Sequence, residues 1–330
     1  MKRFLWLLAL LWLAILACTL DTPAVAPTLA APSLTPTPFL PATVTPAPST
    51  STPTLLPSPP SPPTATATPL TGIRFAVIGD YGTAGDGLAQ VAALVKVWQP
   101  DFIITTGDNN YPRGTYETID ENIGQYFHEY IYPYRGEYGA GAETNRFFPV
   151  LGNHDWMTDN AQPYLDYFTL PGNERYYDFE WEFVHFFALD ADYDEPDGIG
   201  LSSAQADWLE AGMAATDAPW QVVYMHIPPY SSGHYGPTKA VQWPFAAWGA
   251  DVVIAGHDHV YERLQVEGIP YIINGLGGDS RYEFEAVLPE SQVRYSSNFG
   301  AMLVEATRTQ MHFQFVNING EVIDDYILEK

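Results

Sequence analysis

The chain has one cysteine, Cys18, only 14 lysines and arginines among 330 residues, and no bilayer-length apolar run beyond its first twenty positions. A lone cysteine excludes an intramolecular disulfide, so any fold must rest on a hydrophobic core. The few basic residues face 39 acidic ones, for a formal net charge of -25. Such a balance repels phosphate backbones and anionic headgroups, which excludes nucleic-acid or membrane binding through a basic patch. The sequence has no internal repeat, and its 46% hydrophobic content excludes a collagen-like or fully disordered protein. Any phosphate chemistry must draw positive charge from elsewhere, and bound metal is the natural source.

What is present begins with a delivery signal. Met1-Lys2-Arg3 and the apolar run Phe4 to Ala17 form the basic and hydrophobic parts of a secretory signal. Its end, Ile15-Leu16-Ala17-Cys18, resembles a bacterial lipobox, in which the cysteine carries lipid on the outer face of the cell membrane. An uncleaved anchor and free secretion are the alternatives, and all three export the rest of the chain. Residues 19–72 are rich in Pro, Thr, Ser and Ala, with Asp21 their only charge. This composition offers too little apolar surface to offset ordering entropy, so it predicts a disordered, partly polyproline stalk. At ~3.1 Å per residue, such a stalk reaches at most ~160 Å. Residues 73–330 then fit one domain.

In that domain, Ile73 to Ile78 is a short apolar run stopped by Gly79-Asp80, the pattern of a buried strand with a carboxylate at its end. Gly87 to Trp98 has apolar residues at helical spacing, and Asp101 to Thr106 leads as a second strand into Gly107-Asp108. The order strand, helix, strand predicts an α/β domain with its site at the carboxyl edge of a sheet. Further strands are expected at Arg146 to Leu151, Tyr177 to Asp190, Trp220 to His226 and Asp251 to Ala255. Helices are expected at Thr115 to Tyr130, Ser203 to Ala215 and Lys239 to Trp248. After Gly256, four strand-like segments with short connections, from Pro270 to Leu328, predict a second sheet packed on the first.

Five motifs carry the chemistry: Gly79-Asp80-Tyr81-Gly82, Gly107-Asp108-Asn109-Asn110-Tyr111, Gly152-Asn153-His154-Asp155, Val223-Tyr224-Met225-His226, and Gly256-His257-Asp258-His259. Each brings hard oxygen or imidazole donors to a strand end, beside a glycine that permits close backbone approach. In extended chain, His257 and His259 point to the same side. Two carboxylates, one phenol, one amide and three imidazoles exceed the four donors of a usual zinc site, and suit two ions sharing a bridging carboxylate.

On these motifs, taken in order, residues 73–330 resemble the calcineurin-like metallophosphoesterase superfamily, and within it the purple acid phosphatases, including the tartrate-resistant type. The resemblance implies a four-layer α/β/β/α sandwich of two mixed sheets. It further implies that Asp80, Tyr111 and His259 hold a first metal, Asn153, His226 and His257 a second, and that Asp108 bridges them. Many relatives have a histidine two residues after the first aspartate, where this chain has Gly82; the anionic phenol of Tyr111 is the compensating donor. The resemblance implies Fe(III) at that first position, with Fe, Zn or Mn as the divalent partner. It implies that His154 contacts phosphate or the leaving-group oxygen and that His234 is a second histidine following Val223-Tyr224-Met225-His226, with either one the candidate general acid.

Two such ions can bind a phosphate oxygen, activate a hydroxide and neutralise charge during in-line attack. The expected activity is therefore exported acid hydrolysis of phosphomonoesters, with a small phosphorylated substrate as the only partner. A phosphodiesterase or nucleotide pyrophosphatase on the same site is the alternative, and a non-catalytic surface binding protein is the reading from another class. His128, His185 and His312 lack partner motifs and read as structural. Asp190-Ala191-Asp192-Tyr193-Asp194 lacks the glycine and closing acid of a calcium loop, which leaves a solvated acidic loop as the expectation. Asn274-Gly275-Leu276-Gly277-Gly278 reads as a turn near the site, and Tyr261-Glu262-Arg263 as a local charge pair.

Overall fold

In the computed structural model, the described residues are 72–330. The signal segment with Cys18 and the Pro/Thr-rich stalk lie outside them. Thirteen strands run in chain order: β1 (Ile73–Ile78), β2 (Phe102–Thr105), β3 (Phe147–Pro149), β4 (Tyr177–Trp181), β5 (Val184–Ala188), β6 (Trp220–Tyr224), β7 (Val252–Ala255), β8 (Tyr261–Val266), β9 (Ile269–Asn274), β10 (Ser291–Tyr295), β11 (Gly300–Ala306), β12 (Gln310–Asn317) and β13 (Val322–Glu329). They form a six-stranded sheet, β13-β12-β11-β1-β2-β3, and a seven-stranded sheet, β10-β8-β9-β7-β6-β5-β4. Both are mixed: β1 pairs in parallel with β2 and antiparallel with β11, and β9 in parallel with β7 and antiparallel with β8.

Strand alternation sorts the side chains into two cores. Phe186, Val222 and Ile254 join the cluster between the sheets, whereas their neighbours Phe187, Val223 and Val253 face outward onto Leu209 and Met213 of the Ala204–Ala215 helix. The Asp86–Trp98 helix packs Leu88, Val91 and Val95 into the cluster that also contains the first sheet. This yields the helix, sheet, sheet, helix layering that the family resemblance implies. Between the sheets, Phe148 stacks on Phe179 at 3.8 Å and Phe179 on Phe186 at 4.8 Å, and Phe75 meets Phe186 edge-on at 5.3 Å. Of these, the buried Phe75, Phe148 and Phe186 each contribute roughly 2 kcal/mol of transfer free energy.

Several sequence-based expectations need correction. The strands after Gly256 do not form a separate sheet: β8, β9 and β10 join the second sheet, while β11 returns to pair with β1, as Ile73 opposite Ala306 records. Tyr177 to Asp190 is a hairpin that turns at Glu182, which has a left-handed φ of 56°. The helix expected over Lys239 to Trp248 is broken into short turns at Lys239–Val241 and Phe245–Trp248, because Pro244 lacks the N–H that a continuous helix needs. Thr115 to Tyr130 is helical but interrupted by a wide turn at Asp120–Gly124. Arg263 pairs not locally but across the sheets, donating from Nε and Nη2 to Asp324 at 2.7 and 3.1 Å. The Asp190 loop is solvated only in part: Tyr193 and Asp194 are exposed, whereas Asp190, Asp192 and Glu195 are buried, and Arg175 pairs with Glu195 at 2.9 Å.

Candidate metal centre

The parallel strands of both sheets end at one edge, and the motif donors follow those ends. Asp80 comes two residues after β1, Asp108 three after β2, Asn153 four after β3, His226 two after β6 and His257 two after β7. Asp80, Asp108 and His257 all take left-handed φ values, between 52° and 69°, which turn their side chains off the strand direction into a common space. Beneath Asn153 the incoming strand is anchored by two buried phenols, as Tyr164 and Tyr177 donate to the Pro149 carbonyl oxygen at 2.8 and 2.6 Å.

Two groups of donor atoms result. The Tyr111 hydroxyl lies 2.9 Å from Asp108 Oδ2, 3.1 Å from His259 Nε2 and 3.5 Å from Asp80 Oδ1, and Asp80, Asp108 and His259 offer ligand atoms within 4.8 Å of one another. In the other group, His226 Nε2 lies 3.1 Å from Asn153 Oδ1, 3.2 Å from His257 Nδ1 and 3.5 Å from Asp108 Oδ2. Asp108 Oδ2 is therefore common to both.

Hydrogen bonds to outlying groups determine which ring nitrogens face inward. His226 Nδ1–H donates to the Thr106 carbonyl oxygen at 2.7 Å, and His259 Nδ1 meets Ser280 Oγ at 2.7 Å, so both present Nε2. His154 Nδ1–H donates to the Pro112 carbonyl oxygen at 2.7 Å, leaving Nε2 to face Asp108 Oδ2 at 3.9 Å. Burial first, then His226, pushes His257 down to about 3, so its imidazole is neutral. Burial and the Asp108 and Asp80 charges drive the Tyr111 phenol well above its usual value. Burial opposes ionisation of Asp108, but His226 and His154 outweigh it and keep that carboxyl low. Burial similarly opposes protonation of His226 and His259, which Asp108 and Asp80 respectively overcome. A neutral imidazole, an amide oxygen and buried carboxylates converge with histidines as their ion-pair partners, and this donor set fits metal ions.

Glycine at position 82 has a steric cause: a Cβ there would collide with the Asn109 carbonyl, which excludes an imidazole donor from that position. The Asn274 to Gly278 turn lies beside the site, where a Cβ on Gly275 would approach Asp80 Oδ2 to 2.9 Å. His234 stands further out. It is exposed, bonded through Nδ1 to Glu285 at 2.6 Å, and its ring lies 4.9 Å from that of Tyr235. His128, His185 and His312 are apart from the site, bonded to Ala140, Asp178 and Asp325.

Several residues support the donors, of which Asp155 stands within a motif and Ser280 and Asp279 do not. Asp155 Oδ2 accepts from the backbone N–H groups of Gly152 (2.9 Å) and Asn109 (3.1 Å) and from Asn109 Nδ2 (2.8 Å), tying two donor turns together. Burial and the Asp108 charge push its carboxyl up to about 6. Ser280 orients His259, and its Oγ is also bonded to Asp279 at 2.9 Å. Proximity to the Gly275 to Gly278 turn is the one sequence signal for this pair. Trp156, buried beside the site, donates to the Asp190 carboxylate at 3.1 Å. The donors open into a cleft of about 500 Å³ lined by Tyr111, His154, His259, Asp279 and Tyr282 among others.

Residues 73–261 match the calcineurin-like phosphoesterase family, and residues 268–325 match the iron/zinc purple acid phosphatase-like protein C family. Among curated relatives, purple acid phosphatase 17 of Arabidopsis thaliana is 26% identical, with 78% of this chain and 85% of that protein aligned. Tartrate-resistant acid phosphatase type 5 of Rattus norvegicus is 24% identical, covering 76% of this chain and 88% of that one. The chain belongs to the calcineurin-like phosphoesterase family, and within it is a metal-dependent phosphoric ester hydrolase of the purple acid phosphatase type. The family implies a dinuclear, iron-containing centre.

Solved structures share the fold. A purple acid phosphatase from yellow lupin (Lupinus luteus) seeds superposes with a TM-score of 0.63 at 16% identity, over 79% of this chain and 54% of that chain. GAP50, the anchor in the inner membrane complex of Plasmodium, gives 0.61 at 21% identity, over 78% and 89%. An enzyme and an anchor on one fold illustrate why activity must be argued from the site.

Proposed function

We propose that the protein is an exported acid phosphatase that hydrolyses phosphomonoesters at a dinuclear centre. Asp80, Tyr111 and His259 would hold Fe(III), Asn153, His226 and His257 a divalent Fe, Zn or Mn ion, and Asp108 would bridge them. The observation that carries this reading is the convergence of the Tyr111 hydroxyl on Asp108 and His259 at 2.9 and 3.1 Å. Its phenol is strongly disposed to keep its proton, so only a strongly polarising cation would make it a phenolate ligand.

When bound, the ions would supply a water activated for attack at acidic pH and positive charge against the phosphoryl oxygens. The protein's own groups do the rest. His154, its Nδ1–H held by the Pro112 carbonyl oxygen, aims Nε2 into the cleft to donate a proton to the leaving oxygen. His234, steadied by Glu285, would assist from further out. Met1 to Cys18 would direct export and carry a lipid, and the stalk would extend the catalytic domain from the outer face of the membrane. Among the described residues, no helix is long and apolar enough to cross a membrane.

The test is a visible absorption spectrum with metal analysis and a phosphomonoester assay at pH 5 on one sample. A purple charge-transfer band and activity should both be lost in Tyr111→Phe. A colourless protein with two divalent ions and a preference for diesters would instead establish a phosphodiesterase.

A further inference from the structure

Two tyrosines stand just beyond the inward-facing histidines. The Tyr235 ring stacks on His257 with centroids 4.4 Å apart, and Tyr282 lies flat on His259 at 4.2 Å. The two phenol rings meet edge to face at 5.9 Å. Tyr282 lines the donor cleft on one side and, on the other, a separate recess of about 410 Å³. The remaining walls of that recess are His234, Tyr235, Arg281, Glu283 and Glu285. The donor cleft and this recess therefore share Tyr282 as a common wall.

The walls have a definite chemical bias. Arg281 is engaged elsewhere, since its Nη1 donates to the Ser296 and Ser297 carbonyl oxygens at 3.0 and 2.5 Å and its guanidinium lies 5.6 Å from the Phe299 ring centroid. His234 is bonded to Glu285 at 2.6 Å. Exposed Glu283, the second oxygen of the His234-paired Glu285 and two tyrosine rings remain to meet a ligand. Aromatic rings and carboxylates both attract an organic cation, and the chain's net charge of -25 acts in the same direction.

We infer that this recess is a leaving-group subsite that favours phosphomonoesters of amino alcohols, holding their alkylammonium end against Tyr235, Tyr282, Glu283 and Glu285. The inference rests on the phosphomonoesterase reading above. Water adds its oxygen to phosphorus, the phosphorus–oxygen ester bond breaks, and the alcohol oxygen leaves with a proton, so the products are phosphate and the free amino alcohol. The ammonium group takes no part in bond making; it adds binding energy remote from phosphorus.

The experiment compares kcat/KM for O-phosphoethanolamine and phosphocholine with that for propyl phosphate, using the metal-loaded full chain. The cationic esters should be favoured by roughly five- to tenfold, the product of one exposed cation–π contact and one exposed ion pair. The ratio should shrink as ionic strength rises. It should fall to the cation–π share, about two- to fivefold, in the double variant Glu283→Gln/Glu285→Gln, and toward one when Tyr235→Leu is added. Equal kcat/KM for charged and uncharged esters in the wild type would overturn the subsite while leaving the phosphatase standing. A preference that survives both the double substitution and Tyr235→Leu would overturn its assignment to this recess. Failure to hydrolyse any monoester would remove the phosphatase reading, and the inference with it.

Discussion

The backbone N–H of Tyr111 donates to the Gly82 carbonyl oxygen at 2.7 Å, so the two positions that distinguish this site from its histidine-bearing relatives are in direct contact. The Gly82 N–H donates in turn to the Asp108 carbonyl oxygen at 3.2 Å. The absent imidazole and the phenol are thus two aspects of one packing arrangement.

Restoring the relatives' histidine should therefore fail. Gly82→His would drive its Cβ into the Asn109 carbonyl, and overpacking of this kind costs about 1 to 3 kcal/mol. Thermal melting should show a lowered midpoint, and metal analysis a loss of iron. A variant of wild-type stability that binds iron normally would contradict the steric argument.

Ser280→Ala removes the group that orients His259 without touching any of the seven donors. Loss of such a partner typically lowers metal affinity 10- to 100-fold. Competition with a chelator, followed by metal analysis, should show the first metal leaving at a correspondingly lower chelator concentration. Unchanged retention would mean that packing against Tyr282, whose ring stacks on His259 at 4.2 Å, orients the imidazole by itself.

His154→Ala should slow hydrolysis of an alkyl phosphate by about 100- to 10,000-fold in kcat, the usual worth of a well-positioned general acid. An aryl ester whose alcohol departs without protonation should lose far less. Equal losses on both esters would assign His154 to phosphate binding instead.

Stability should depend on pH through Asp190. Burial drives its carboxyl well above the normal range, and the Glu195 and Asp192 charges add to this against the opposing Asp192 N–H. The folded state then holds a proton that the unfolded chain releases above about pH 4. This contribution is complete below the unfolded value and is lost as pH rises toward the folded one, so the domain should be more stable at pH 5 than at pH 8. Asp190→Asn, which mimics the protonated acid, should flatten the difference in urea midpoints. Equal pH dependence in the two proteins would show that Asp190 does not cause it.

The kinds of donor and their positions at strand ends were legible in the sequence, because hard oxygen and imidazole groups beside glycines, after short apolar runs, have few other uses in combination. The runs Ile73 to Ile78 and Asp101 to Thr106 were likewise legible as strands, since a short apolar run ending at Gly-Asp suits a strand buried on both faces. What surrounds the donors was decided only in three dimensions. Ser280 approaches His259 across 21 residues and Asp155 approaches Asn109 across 46, with no periodicity to announce either. The pairing of β1 with β11 joins segments more than 200 residues apart, and packing turned Asp190, Asp192 and Glu195 inward. Local pattern can specify which groups are available and which face of a strand they occupy; their partners depend on where distant segments meet, and that depends on how the whole core packs.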